Sequence, residues 1–266
     1  MDLIRRYWHI YQALWRNSVI RDMQFKLNFV LWIVVELIWF SLQLAFIGVI
    51  YQHTNSIGTW SKWEVVLLVG SSHFIQQVFS TFILTNLTQL SEHVRSGRLD
   101  FMLLFPLNTR FLVSLRNVDL GGFVNGMASV GVIVFACCKL GLAPGLLEIA
   151  GFLALCGVGV MIHWSLMSML AAVSFWSIKA HGLVWGYYNM FNLARMPDEA
   201  FTGWFRAVFR FVLPMLLVAN VPVRFFAEKL RSPAEVGLLL GIATLCLLVS
   251  GWFWRMSIRH YTSASS

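Results

Sequence analysis

The stretch Glu92-His-Val-Arg-Ser-Gly97-Arg-Leu-Asp100-Phe-Met-Leu-Leu-Phe-Pro106-Leu-Asn108 decides how the chain is read. It lies between two long apolar segments and gathers Glu92, His93, Arg95, Arg98 and Asp100 around Gly97. Charges of both signs at this density are costly inside a bilayer, so the stretch reads as an aqueous loop between two membrane spans. Its arginines place it on the cytoplasmic side. Gly97 permits a tight change of direction, and Pro106 resists continuing a preceding helix. Between them Phe101, Met102, Leu103, Leu104 and Phe105 form a short apolar patch at the membrane edge. A knob of mixed charged and apolar character suits docking to a soluble partner.

Composition agrees. The 266 residues are 58% hydrophobic and 12% charged, against about 25% charged in an ordinary soluble domain. The net charge of +8 fits Lys and Arg at cytoplasmic membrane edges. Nucleic-acid binding is not expected, because no soluble domain remains to carry a basic face. Cys137, Cys138, Cys156 and Cys246 all lie in apolar segments and read as packing residues, with no C-x-x-C or metal spacing. No phosphate-binding loop, G-x-S-x-G or H-E-x-x-H occurs, so the chain is expected to be non-catalytic, with no cofactor and no metal of its own. A cleavable leader is not expected, because the first apolar run begins only after Lys26.

Taken in order, residues 1–24 predict an amphipathic interfacial helix. Arg5, His9, Gln12 and Arg16 share one face; Ile4, Tyr7, Tyr11 and Leu14 share another. Apolar segments follow at about Phe25–Tyr51, Trp63–Leu90, Phe111–Leu140 and Leu146–Trp176. Each is long enough to cross about 30 Å of hydrocarbon. After Lys179 the pattern breaks up. Gly182–Ala194 is short, and Phe201–Val221 holds Arg206, Arg210 and Pro214; a final clean segment runs from Ala234 to about Trp254. The fold expected is an all-α integral membrane protein of six transmembrane helices. Its external re-entrant element at 198–222 precedes the last span, and both termini are cytoplasmic. That arrangement leaves Arg195, Arg206, Arg210, Arg224, Lys229 and Arg231 near the external face, against the positive-inside tendency.

Within the spans, Glu36 lies ten residues past Lys26, about 15 Å deep at the helical rise. His73 reaches a similar depth from the opposite side. Gln43 continues the Glu36 face, and Gln76, Gln77 and Ser80 continue that of His73. Ionisable groups at that depth face a bundle interior or a cavity. Two readings stand: a polar substrate path, cationic at Glu36, or an interhelical hydrogen bond between Glu36 and a neighbour such as His73. His163 reads as a packing histidine. Gly122-x-x-x-Gly126, Gly182-x-x-x-Gly186 and Gly237-x-x-x-Gly241 predict close helix packing within the chain.

The segment Gly97-Arg-Leu-Asp100 followed by Leu103-Leu104-Phe-Pro106-Leu107 resembles the G-x-L-D-x-x-L-x-x-P signature of bacterial type-2 ABC exporter permeases, the viologen-exporter-like group included. Phe175-Trp176, the pair Leu213-Pro214 and Val221-Pro222, and the C-terminal Arg259-His-Tyr261-Thr-Ser-Ala-Ser agree in order and spacing over nearly the whole chain. Relatives often carry two prolines after segment five, where this chain reads Arg195-Met-Pro197-Asp-Glu-Ala-Phe201. The resemblance implies an exporter permease in a bacterial inner membrane. It implies a second permease subunit, identical or related, and a separate ATP-binding subunit that holds ATP and Mg. The element at 91–110 (Glu92, Arg95, Gly97, Arg98, Asp100, Phe101, Leu104, Pro106) would couple to that ATPase, and Glu36, Gln43, His73, Gln76 and Gln77 would line the path. The alternative is an ion-coupled secondary transporter with Glu36 and His73 as proton relay, although paired broken segments in two halves are not visible.

Overall fold

The computed structural model describes residues 2–177 and 180–261, without the side chains of 2–4, 6, 7, 180 and 194. Ile4, Tyr7, Lys179 and the C-terminal residues after Tyr261, which carry some of the expectations above, lie outside what is described. The first helix, α1 (Asp2–Gln24), leads through Phe25 into α2 (Lys26–His53). A short loop then reaches α3 (Lys62–Phe79), whose start is fixed by a capping box between Ser61 and Glu64. A π-helical turn, Ser80–Leu84, carries α3 into α4 (Thr85–Thr88) and α5 (Leu90–Arg95). Then come α6 (Arg98–Leu103), α7 (Thr109–Leu115), α8 (Leu120–Leu140), α9 (Leu146–Ala172) and α10 (Ala180–Met190), which ends in a 3-10 turn, Phe191–Arg195. The chain closes with α11 (Gly203–Ala207), α12 (Met215–Phe226) and α13 (Ala234–Arg259).

Five helices among the described residues are long and apolar enough to cross a membrane: Lys26–His53, Lys62–Arg95, Leu120–Leu140, Leu146–Phe175 and Ala234–Arg259. The fold is the helical membrane bundle expected. The helix from Lys62 is its centre, with Val65 to His73 buried without a break, whereas α2 and α13 turn most of their apolar surface outward. In a bilayer such all-round apolar helices need no protein cover. The up-and-down course gives the bundle two ends. One holds α1, residues 90–119, the end of α9 and the end of α13; the other holds the 54–61 loop and residues 196–206 and 224–235.

Two departures from sequence expectation have local causes. The third apolar segment is not continuous from Phe111 but breaks between α7 and α8. Asn86 brackets the break, donating to the Asn117 carbonyl (2.7 Å) and accepting from the Asn117 amide (2.8 Å). The Asp119 amide donates to the Thr81 carbonyl in the π turn (2.9 Å), and the Asp119 carboxylate caps α8 at the Gly121 amide (2.9 Å). Partners outside the helix thus satisfy groups that a continuous helix would have used. The end of α1 docks on the same break, with Arg21 bonded to Asn117 (3.0 Å) and Ser18 accepting from the Val118 amide (3.0 Å).

The second departure concerns the glycine pairs. Gly122 and Gly126 pack α8 against Thr81 and Gln77, as expected. Among the described residues nothing lies within 4 Å of where a side chain would begin at Gly182, Gly186, Gly237 or Gly241, so those two pairs make no close helix contact there. After Thr202 the chain forms a bent pair, Gly203–Val212 and Met215–Phe226, meeting at 81° about Leu213-Pro214. At about 1.5 Å per residue neither arm crosses about 30 Å alone.

Candidate functional site

Halfway along the bundle four of the five residues expected to line a path meet. Gln77 on α3 donates Nε2 to the Glu36 carboxylate on α2 (2.5 Å) and places the same atom 3.3 Å from His73 Nε2. The other ring nitrogen, Nδ1, stands 3.4 Å from the Arg195 guanidinium, which also donates to Gln76 Oε1. A neutral imidazole carries one proton, so the ring accepts from one neighbour and abuts the other. Phe40 stacks on it, centroids 3.9 Å apart and planes 8° from parallel. The expected Glu36–His73 bond is therefore relayed through an amide. Gln43, also on α2, has a buried Oε1 without a partner among the described residues and is not joined to this chain of bonds.

Arg195 corrects the sequence reading, which left it near the outer face. The 3-10 turn at the end of α10 carries it inward until it is buried beside His73 and Gln76. Tyr188, two helical turns earlier on the same face, has its hydroxyl in hydrogen-bonding reach of Ser80 and Gln76. That spacing was the available signal: an arginine two turns from a tyrosine, after an apolar run too short to span.

A cavity of about 610 Å³ opens beside this chain of bonds. Its walls are α2 (Asn28, Phe29, Trp32, Glu36), the π turn and α4 (Ser80, Leu84, Thr85, Thr88), the start of α8 (Asp119, Gly121) and α10 (Trp185, Tyr188). Arg21, Asp22 and Phe25 close it at the α1 end. Aromatic rings and three carboxylates face one space, with Arg21 held by Asp22 (3.1 Å). His163 is elsewhere, buried and bonded through Nδ1 to the Tyr187 hydroxyl (2.7 Å), the packing role expected.

The end holding residues 196–206 is a lattice of ion pairs. Asp198 binds Arg206 (3.0 Å) and Arg224; Arg224 also binds Glu235 (3.0 Å); Glu199 takes Arg231 and, from the first loop, the Thr59 hydroxyl (3.0 Å); Lys229 takes Glu64. Burial opposes ionisation of Asp198, but the Arg206 hydrogen bond and the charges of Arg224 and Arg231 outweigh it and hold the carboxyl below its ordinary range. Glu199 is likewise held low, burial being overcome by Thr59 and Arg231. Four of the cations that offended the positive-inside tendency are thus matched by carboxylates.

At the opposite end the motif stretches converge. Gly97 adopts φ 71°, a conformation that glycine takes without strain, between α5 and α6. Glu92 and Arg95 pair on the exposed face of α5 (2.8 Å). Within α6, Leu99 and Met102 are buried, while Phe101 is 69% and Leu104 80% exposed, with Phe105 beside them. Met102, expected in the exposed patch, is instead an anchor, because it falls three residues from Leu99 on the inner face. Asp100 lies against Tyr261, and burial together with that carboxylate pushes the phenol up to about 12. Tyr261 and Trp254 both pack edge-on to Phe175, and Trp176 meets Phe253 and His260. The G-x-L-D, Phe-Trp and C-terminal stretches are neighbours in space. Asn108 caps α7, and Arg110 on α7 bonds Ser250 (2.8 Å) and lies over the Trp164 ring (4.0 Å).

Compared with known proteins, residues 37–265 match the family described as ABC-2 family transporter protein. No curated protein and no solved structure matches.

Proposed function

This chain belongs to the ABC-2 family of transporter proteins, a permease component of an ABC transporter, and from that premise we propose that it is an exporter subunit driven by a separate ATP-binding subunit. The observation that carries the reading is the α6 knob. Leu99 and Met102 root it in the bundle, and Phe101, Leu104 and Phe105 stand exposed among Glu92, Arg95 and Arg98. A rooted apolar patch with a charged rim has the composition of a docking surface. We place ATP and Mg on that partner and the knob in the cytoplasm. The distribution of charge supports this: among the described residues, arginines without an ion pair such as Arg16, Arg98, Arg116, Arg255 and Arg259 collect at the α6 end, whereas Arg206, Arg224, Lys229 and Arg231 at the far end are paired and Lys62 and Lys139 there lie against aromatic rings. The bent pair around Pro214 then acts as a re-entrant element from the external face.

Movement of α6 would reach α3 directly, since α5 continues it, and α3 carries His73, Gln76 and Gln77. Transport would follow by alternating exposure of a path past Glu36, with a second permease subunit, identical or related, completing it in a bacterial inner membrane. Carboxylates and aromatic faces in the cavity suit an amphipathic or cationic compound. The test is to purify the chain with the products of neighbouring genes and to assay ATP-dependent uptake of a cationic dye into inverted vesicles. The reading requires a stoichiometric ATP-binding protein, and uptake that Glu36→Gln depresses at least fivefold. Absence of any copurifying ATP-binding protein overturns the reading that a separate ATP-binding subunit drives the chain; unchanged uptake in Glu36→Gln overturns the cationic path.

A further inference from the structure

The segment Arg195-Met-Pro197-Asp198-Glu199 is where this chain departs from the proline pair of the proteins it resembles, and the structure gives it two ends. Arg195 reaches into the bundle to Gln76 and His73. Three residues later Asp198 binds Arg224 and Arg206, and Glu199 binds Arg231 and Thr59. Along α3 these two places are far apart: Glu64, held by Lys229 at the outer lattice, and Gln76 are twelve residues, about 18 Å, from each other. The segment between them is short and stiff. Pro197 fixes φ at −53°, the Asp198 amide is held by Asn220 Oδ1 (3.0 Å), and Asn220 Nδ2 donates to the Met196 carbonyl (3.4 Å).

We propose that Arg195 is a positioning residue that couples the polar core to closure of the Asp198 end. The guanidinium, held by Gln76 and by the field of Glu36 across the Gln77 amide, keeps the strap down. The strap in turn presents Asp198 and Glu199 to their arginines and to the first loop. Anything that takes the Glu36 carboxylate for itself weakens the hold on Arg195 and loosens the outer lattice. A cation in the cavity is placed to do this, so the proposal connects occupancy of the path to release at the far end. It rests on the reading that the path passes Glu36, but the test below uses no substrate, so its failure leaves that reading standing.

The reporter is Ser71→Cys in a background lacking Cys137, Cys138, Cys156 and Cys246. Ser71 is fully buried on α3 between Glu64 and His73, and its hydroxyl has no partner to lose among the described residues. The full transporter complex in lipid nanodiscs, with both faces open to solvent, is treated with a membrane-impermeant maleimide, and the labelling rate is measured. The unaltered strap should protect the thiol. Asp198→Asn, which breaks the lattice directly, should raise the rate at least tenfold and serves as the open reference. Arg195→Gln and Glu36→Gln should each raise it at least fivefold, and Arg195→Lys, which keeps the charge, should restore most of the protection. Labelling in Arg195→Gln but not in Glu36→Gln would make Arg195 a local brace and overturn the coupling. Protection in both, with Asp198→Asn labelled, overturns the proposal outright. Monodisperse elution of each variant separates opening from unfolding, and a variant that fails it is replaced by Gln76→Leu, which removes the inner acceptor and should act like Arg195→Gln.

Discussion

Arg224 and Asp198 form an ion pair whose side chains are only 4% and 5% exposed, and Glu235 takes the other arm of the same guanidinium at 3.0 Å. Removing one member of a buried pair leaves the others charged without water, which costs about 3–5 kcal/mol. Arg224→Ala should therefore lower the unfolding temperature of the detergent-solubilised protein markedly. Arg224→Lys should recover only part, since an ammonium lacks the planar fork that serves two carboxylates at once. Equal thermal stability of Arg224→Ala and the parent chain would show the lattice to be ornamental.

Acid should act on the same lattice. The Asp198 and Glu199 carboxyls are held below their ordinary range when folded. Their stabilisation is thus complete above the unfolded-state pKa, about 4, and is lost as pH falls through the lowered folded-state values. The unfolding temperature should stay level from pH 7 to about pH 5 on this account and fall below about pH 4. Asp198→Asn should start lower at pH 7 and show a shallower acid decline. A decline of the same steepness in that variant would assign the acid sensitivity elsewhere.

Residues of the α6 knob separate into two classes. Leu99 and Met102 are buried, so Leu99→Ala should destabilise the bundle end by about 2–5 kcal/mol. Leu104 is 80% exposed, so Leu104→Asp should leave thermal stability unchanged. It should instead release the ATP-binding partner, because a carboxylate carried into an apolar pocket without a partner costs several kcal/mol. Copurification ratios and ATPase rates measure the second effect. A full complement of partner on Leu104→Asp would move the docking surface away from α6.

The glycine pairs should respond in opposite directions. A Cβ on Gly122 would stand 2.5 Å from Thr81 Oγ1 and 3.2 Å from the Thr81 amide nitrogen. Gly122→Ala should therefore push α8 off α3 at a cost of about 1–3 kcal/mol. Gly237→Ala meets nothing within 4 Å; it should be neutral, or stabilise by up to about 1 kcal/mol through helix propensity. Loss of stability in Gly237→Ala comparable to that of Gly122→Ala would show that another surface covers α13.

By itself the sequence determined the long apolar spans, the charged break at Glu92–Asn108 and the bend around Pro214. Each follows from one-dimensional quantities: the run of apolar residues a bilayer requires, the cost of charge within it, and the missing amide of proline. Glu36, His73, Gln76 and Gln77 were legible as one level of the bundle because helical rise converts residue number into depth. Only the tertiary structure decided what completes that level. Arg195 belongs to an element whose direction depends on a 3-10 turn and on a hydrogen bond to a helix more than a hundred residues earlier, and no local periodicity encodes such a partner. The same holds for the break at Asn117, made by the side chain of Asn86, and for Met102, whose burial depends on which face of α6 the bundle takes. It holds most for the cations of the outer end. The sequence shows their charge, but what such a charge costs in a membrane depends on the carboxylate beside it, and only folding brings Asp198, Glu199, Glu235 and Glu64 to theirs.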